Sequence, residues 1–474
     1  MPRRVTQESF IERALPVLDR YARIPCLSPN FDPEWHANGH LDAAIALYEG
    51  FARDLGLRGA TVTVQRIEAR TPMLVVDVPA TPGAEGTVVL YGHLDKQPAL
   101  GEWAEGLAPF EPVLRDEMLF ARGVADDGYA LFAALLAIAA LQRDGVEHAR
   151  CVVLIEASEE SGSIDLDAHL DRIAPSLGEV DLLVCLDSGA LTYDRLWVTT
   201  SLRGHALVTV TIEVLRHAVH SGTAGGIVPS SFRILRELLD RIESPRTGEV
   251  LVRELHAMIP DSHLAAAGLV ARDLGDVAAE DLPCVGGLEL LGRDAADRLV
   301  RRTWEPSVSV VGIDGIPAVR DGANVVRPST TVRLGVRLPP TVDPEVACAR
   351  LVEVLTADPP AGAVVTATAE GAAGWVTPTP APWLRDALDA ASLGAFGKEP
   401  GFVGEGGTIP FLASLGERFP RVQFLATGVL GPGSNAHGPD ECLHLPTAAN
   451  VSDAVACVVE AHARWRRTSG TGSN

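Results

Sequence analysis

His93 and Asp95 stand two residues apart behind a short apolar run, residues 87–91 (TVVLY), in the segment Gly92-His93-Leu94-Asp95. On an extended backbone such residues share a face, so Asp95 could accept the Nδ1 proton of His93 and leave the other ring nitrogen for a metal. Asp126-Asp127 directly precedes an apolar stretch, residues 130–141. Negative charge at a helix start is common, but one carboxylate would suffice for it. Glu156, Glu159 and Glu160 follow a second apolar run, residues 151–155 (CVVLI). Three carboxylates so close together repel, which is costly beside an apolar core unless a cation is present. A solvated acidic loop is the competing reading. Asp187 follows a third run, residues 181–186 (DLLVCL), and His437 lies in Asn435-Ala436-His437-Gly438. Neighbouring strands lie about 4.8 Å apart and paired catalytic metals about 3.5–4 Å. Ligands on adjacent strand ends, His93, Asp126, Glu160, Asp187 and His437, can therefore reach a two-metal cluster. Imidazole and carboxylate without thiolate suit Zn, Mn or Co. The chemistry would be hydrolysis by metal-activated water.

To bring those residues together the chain needs an α/β fold whose strands end at one edge. Its first 200 residues alternate helical stretches with short apolar runs, the pattern of a largely parallel sheet, and each run delivers its polar residue at the C-terminal end, where open α/β sheets place ligand crevices. Residues 204–370 read instead as strand 206–214, helix 230–242, strand 307–312, strand 331–338, helix 344–357 and strand 363–369. That order, β-α-β-β-α-β, is the ferredoxin-like motif. The expected parse is a catalytic α/β/α domain, residues 1–203 and 371–474, interrupted by an inserted α+β domain, residues 204–370. Residues 243–302 are extra to that motif and their pattern assigns them no role. The tail from Arg466 is expected to fray.

The chain has 474 residues and a formal charge of −22, from 40 Lys and Arg against 62 Asp and Glu. Such acidity argues against nucleic acid or an anionic membrane as the main partner. The 12-residue stretch 130–141 is too short to cross a bilayer and reads as a buried helix. Seven scattered cysteines without a CxxC pair indicate neither a disulfide framework nor a thiolate zinc site, and a reducing cytoplasm is the expected compartment.

The segments Tyr91-Gly92-His93-Leu94-Asp95-Lys96-Gln97-Pro98, Arg122-Gly123-Val124-Ala125-Asp126-Asp127, Glu159-Glu160-Ser161-Gly162-Ser163, Asp187-Ser188-Gly189, Glu405-Gly406-Gly407-Thr408-Ile409-Pro410 and Asn435-Ala436-His437-Gly438-Pro439-Asp440-Glu441 resemble, in order and across nearly the whole chain, the motif series of the dinuclear-metal peptidases related to carnosine dipeptidases, glutamate carboxypeptidase and succinyl-diaminopimelate desuccinylase. By that resemblance Asp126 bridges two divalent ions, Zn before Mn or Co. His93 and Asp187 complete one site, and Glu160 and His437 the other. Asp95 orients His93, and Glu159 is the general base that takes a proton from the attacking water and passes it to the leaving amine. The resemblance also implies a cis peptide between Asp126 and Asp127. Gly128-Tyr129 departs from the Lys-Gly of many relatives, which bears on substrate or subfamily rather than on the ligands.

His217 and His220 read by spacing as polar surface residues more readily than as a third metal site. The resemblance gives His220 another role, reaching the active site of a second subunit to stabilise the oxyanion, with Asn324 in the same contributed set. It places Arg337 on the substrate carboxylate, where a guanidinium can make two hydrogen bonds. The loop holding Glu405, Gly407 and Thr408 would bind a substrate terminus. The implied enzyme is a cytoplasmic homodimer, joined through the inserted domain, that hydrolyses dipeptides or short peptides with a free carboxylate. An N-acyl-amino-acid amidohydrolase or carboxypeptidase is the alternative, and a non-catalytic metal-binding homologue is the alternative from another class.

Overall fold

The computed structural model describes residues 3–280 and 282–470. The chain divides into two compact units: Met1–Thr200 with Thr377–Val403 and Ile409–Asn474, and Ser201–Val376 with Gly404–Thr408.

The first unit is built on a six-stranded sheet in the order Thr61–Gln65, Met73–Val78, Arg150–Glu156, Thr87–His93, Val180–Cys185, Gln423–Ala426. The last four strands run parallel; the first two form an antiparallel edge. All three apolar runs of the sequence are central strands, and Thr87–His93 is buried along its whole length. Parallel strands covered on both faces read as continuous apolar runs for this reason. Helix Ala130–Arg143 packs against strands Thr87–His93 and Arg150–Glu156 and against helix Leu445–Gly470. Leu131, Phe132, Leu135, Ile138 and Leu141 on it are fully buried, each contributing about 1.5–3 kcal/mol. It has no polar face, and among the described residues no helix is long and apolar enough to cross a membrane.

The expected fraying from Arg466 does not occur within the described residues. Helix Leu445–Gly470 carries the chain onward, because Arg466 pairs with the largely buried Asp181 of the central sheet. The remainder of that tail, residues 471–474, lies outside the described residues.

The second unit holds a four-stranded antiparallel sheet in the order Ser307–Asp314, Ser329–Leu338, Gly204–Glu213, Val364–Ala372. Its alternation is strict: Ala206, Val208, Val210 and Ile212 face the core together with Val332, Leu334, Val336 and Leu338. Helices Ser231–Leu239 and Pro344–Thr356 supply the other side through Ile234, Leu235, Leu238, Leu351 and Leu355. The segment whose pattern assigned no role joins this core through Val250, Val252 and Leu255 and then forms helices Asp261–Leu274 and Ala295–Thr303, which pack together.

At the end of strand Arg150–Glu156 the chain buries an acid. Glu156 accepts hydrogen bonds from the hydroxyls of Tyr91 at 2.6 Å, Ser163 at 2.9 Å and Ser158 at 3.2 Å. Burial pushes its carboxyl from 4.5 up to about 7, partly offset by the Tyr91 hydroxyl. Between those values the folded, metal-free protein retains a proton that the unfolded chain has lost. The stabilisation is thus complete below pH 4.5 and is lost as pH rises through about 7. Urea unfolding of the metal-free protein should show stability falling across that window, and Glu156→Gln should remove roughly 3 kcal/mol of the fall. An unchanged pH slope in the variant would contradict the burial of a protonated Glu156.

Candidate active site

Three neighbouring strands of the first unit open the site at one edge. His93 is the last residue of Thr87–His93; the single 3₁₀ turn Glu159–Ser161 follows Arg150–Glu156; Asp187 lies two residues beyond Val180–Cys185. Asp126 comes from the loop before helix Ala130–Arg143, and His437 from the irregular chain before strand Cys442–His444. The Asp126–Asp127 peptide is cis.

Asp126 is the centre of the arrangement. Its Oδ1 lies 3.2 Å from His93 Nε2 and its Oδ2 lies 3.0 Å from His437 Nε2. Around His93, Asp187 Oδ2 is 3.8 Å and Glu159 Oε2 is 4.0 Å from Nε2. On the other side Glu160 Oε2 is 3.3 Å from His437 Nε2. Two trios with mutually close donor atoms result, His93–Asp126–Asp187 and Asp126–Glu160–His437, and they share Asp126. Glu159 belongs to neither.

Electrostatics in this cluster run against the ordinary tendency of buried groups. Burial opposes charging of His93, yet Asp187, Asp126 and Asp95 outweigh it and hold its proton well above the usual range. His437 is raised to about 11, burial being overcome by Asp126 and Glu160. Asp126, although buried, is held below the usual carboxylate range by the two imidazoles. Glu159 and Glu160 go the other way: burial raises both, reinforced by Asp187 for Glu159 and by Asp126 for Glu160. The two imidazoles stand among carboxylates whose charge cations would neutralise. The donor set fits two divalent ions, and Glu160 Oε1 is buried without a hydrogen-bond partner among the described residues, an orphan that a cation would satisfy. His93, Asp126 and Asp187 would hold one ion and Asp126, Glu160 and His437 the other.

Asp95 does more than its spacing suggested. His93 Nδ1 faces the Asp95 carbonyl oxygen at 3.1 Å, with the carboxylate at 3.5 Å. The carboxylate itself accepts the backbone N–H groups of Glu159 at 3.2 Å and Glu160 at 3.0 Å, so it fixes the turn that presents both acids. Three further residues escaped the sequence reading. Gln97 donates to Glu160 Oε2 at 2.7 Å, Asp127 accepts the His93 N–H at 3.2 Å, and Glu441 binds the loop that carries Asp126. All three lie inside the quoted motifs, but only contacts between distant segments reveal what they do.

The residues expected around the substrate belong to the second unit. Pairing of Val219–His220 with Val325–Val326 brings His220 beside Asn324, whose carbonyl accepts the Ser221 N–H at 2.9 Å; both are exposed. His220 Nδ1 accepts the Gly222 N–H at 3.0 Å. Arg337, on strand Ser329–Leu338, pairs in register with His205 and Ser307. Arg203 reaches across the Gly404–Thr408 loop: its Nε donates to the Gly406 carbonyl at 3.3 Å, and Thr408 Oγ1 donates to the Arg203 carbonyl. Burial, with Arg337 and Arg302 adding to it, lowers Arg203 to about 10. Arg302 is in turn supported by Glu405. Arg337, Glu405, Gly407 and Thr408 are thus grouped around Arg203, which no spacing rule singled out.

The sequence model of peptidase family M20/M25/M40 matches residues 89–461. A cysteinylglycine-S-conjugate dipeptidase of Corynebacterium striatum is 28% identical over 433 residues, covering 87% of this chain and 88% of the relative. Among solved structures, the dipeptidase Dug1p of Saccharomyces cerevisiae aligns with a TM-score of 0.77 at 21% identity, covering 97% of both chains. Human carnosine dipeptidase 1 aligns with a TM-score of 0.76 at 21% identity, covering 97% of this chain and 96% of that one. The structural likenesses are of fold; the family match spans every residue of the two metal-ligand trios. The chain belongs to peptidase family M20/M25/M40.

Proposed function

We propose that the protein is a metal-dependent dipeptidase that cleaves the amide bond of small peptides bearing a free carboxylate. The observation that carries this reading is Asp126 set between His93 and His437 with Glu159 beside, but outside, both trios. Two bound divalent ions, zinc in this proposal, supply polarisation of the scissile carbonyl and acidify water towards neutrality. Glu159 Oε2 takes the proton of the attacking water and delivers it to the leaving amine nitrogen, which cannot depart unprotonated. In the metal-free protein burial and Asp187 raise the proton affinity of Glu159. Asp95 keeps that carboxylate in place through the Glu159 and Glu160 amides.

Arg337 holds the substrate carboxylate. Arg337 is exposed and has no carboxylate partner among the described residues, while Arg203 adds positive charge nearby. The named relatives are dipeptidases, which favours a dipeptide over an N-acyl amino acid. His220 and Asn324 stabilise the oxyanion of a second subunit in a cytoplasmic homodimer. The pairing surface is the free edge strand Ser307–Asp314, where Val310, Val311 and Ile313 are 52%, 58% and 45% exposed.

Glu159→Gln should bind both ions and lose at least about a thousandfold in kcat, since one carboxylate performs both proton transfers; near-normal turnover in the fully metallated variant would remove Glu159 from its role. Assayed at equal metal loading, dipeptides should be cleaved in preference to N-acyl amino acids, with Arg337→Met raising KM by about tenfold or more. Inert dipeptides would favour the amidohydrolase reading. Gel filtration with activity measured across the peak should find turnover only in the dimer, and a fully active monomer would exclude the role given to His220.

A further inference from the structure

Asp126 and His437 must keep a fixed separation if one carboxylate is to serve two ions, yet neither sits on a helix or strand. His437 and its neighbours Asn435 and Asp440 have positive φ values of 65°, 47° and 59°, and Asp126 lies in a loop with Gly123 at φ 80°. Regular hydrogen bonding therefore cannot hold this part of the site, and another device must.

Glu441 provides it. Its side chain is fully buried, and its two carboxylate oxygens accept four hydrogen bonds. Oε1 takes the N–H groups of Ala125 at 3.1 Å and Asp126 at 3.2 Å; Oε2 takes the Gly123 N–H at 2.9 Å and Arg122 Nη1 at 2.7 Å. Arg122, 1% exposed, turns its second arm back to the Gly438 carbonyl at 2.6 Å, one residue past His437. The Glu441 carbonyl accepts the Ala121 N–H at 3.0 Å, and strand Cys442–His444 then pairs with Met118–Phe120. The loop that ends in Asp126 and the segment that begins at His437 are thus joined by four hydrogen bonds to one carboxylate and by two more, Arg122 to Gly438 and Ala121 to the Glu441 carbonyl.

A buried ion pair by itself is weak evidence of stability, because desolvating both charges offsets most of their attraction. This pair differs in where its remaining bonds go. Three amides of the Asp126 loop and one carbonyl of the His437 segment take all of them but Arg122 Nε, which is buried without a partner among the described residues, so the pair's main effect is on the relative position of those two segments. Among the described residues no hydrogen bond or ion pair joins Arg122 to either trio; its effect on an ion passes through Gly438 and Glu441.

We propose that Glu441 and Arg122 are positioning residues of the metal centre, fixing Asp126 against His437 and thereby setting the affinity of the ion held by Asp126, Glu160 and His437. The inference rests on the two-metal reading of the site. Outer partners of metal ligands typically change affinity about tenfold to a hundredfold when altered. The two substitutions act differently. Arg122→Lys keeps a cation beside Glu441 and leaves its three amide bonds intact, but has no second arm for Gly438. Glu441→Gln replaces an oxygen that accepts two hydrogen bonds with an NH₂ group that faces donors, and so frees the Asp126 loop as well.

The test is titration of the metal-free full-length protein with cobalt(II), followed by d–d absorption and calorimetry, for wild type, Arg122→Lys and Glu441→Gln, with thermal unfolding of each metal-free protein alongside. Wild type should take up two ions. Arg122→Lys should weaken one of them by about tenfold to a hundredfold and leave the other unchanged, and Glu441→Gln should weaken both. Two wild-type affinities in a folded Arg122→Lys protein, or an equal loss at both sites in it, would overturn the proposal. Arg122→Lys decides the question even if Glu441→Gln fails to fold. A wild-type protein that binds fewer than two ions would overturn the two-metal reading itself, a result distinct from failure of the positioning role.

Discussion

Carboxylates drawn together out of water repel one another, and every part of the site in the first unit answers that repulsion. Asp126 is answered by two imidazoles, one on each oxygen. The acids that stand behind the ligands are answered largely by backbone amides: Asp95 by Glu159 and Glu160, Asp127 by His93, and Glu441 by Gly123, Ala125 and Asp126 together with the Arg122 guanidinium. An amide dipole pointed at a carboxylate oxygen compensates its charge without adding a cation. Asp95 and Glu441 are thus satisfied by the fold, whereas Asp127 keeps Oδ1 buried without a hydrogen-bond partner among the described residues. Glu160 Oε1, orphaned among the described residues beside the donor atoms of Asp126 and His437, is capacity that a divalent ion would take up.

The same division explains why the site opens at the ends of three parallel strands. A strand end gives a side chain a fixed origin and leaves the next few amides unpaired by the ladder. Those amides are the ones that Asp95 and Asp127 capture. The covered strands Thr87–His93, Arg150–Glu156 and Val180–Cys185 supply rigidity, since all are buried along almost their full length. Where no strand is available, at Asp126 and His437, the Arg122–Glu441 pair takes over the same task.

What could be read from the sequence follows from how far each signal reaches. Apolar runs followed by polar residues mark strand ends locally, and the three runs found that way are the central strands. The alternation of residues 206–212 and 332–338 likewise marks the one-sided sheet of the second unit. The helix pair Asp261–Leu274 and Ala295–Thr303 was not legible because the first shows no wide buried stripe: Val270 is its only buried residue among those described, and Leu264 and Leu269 are exposed. Glu441 was quoted within a motif, yet its function depends on amides more than 300 residues earlier. Arg203 was invisible for a related reason. Its partners are carbonyls of Gly406, Arg301 and Glu305, and a carbonyl carries no residue-type signature. Arg466 reads as part of a polar tail until Asp181 is placed beside it.

The overall charge of −22 and the arginines of the second unit then have separate consequences. At physiological salt a charge is felt over about 8 Å, so the distant acidic surface is screened and contributes mainly to solubility and to exclusion of polyanions. Within the second unit the local balance is opposite. Arg203, Arg302 and Arg337 outnumber Glu405, and His205 beside Arg337 is pushed towards its neutral form, by burial first and by the guanidinium second. Arg203 spends its donors on carbonyls, which organise the Gly404–Thr408 loop but do not cancel its charge. The uncancelled charge lowers the energy of an anion beside Arg337, where no carboxylate partner stands among the described residues. A small substrate with one carboxylate gains from that short-range attraction. An extended polyanion would also bring many charges against the acidic surface, so the same chain can favour the one and exclude the other.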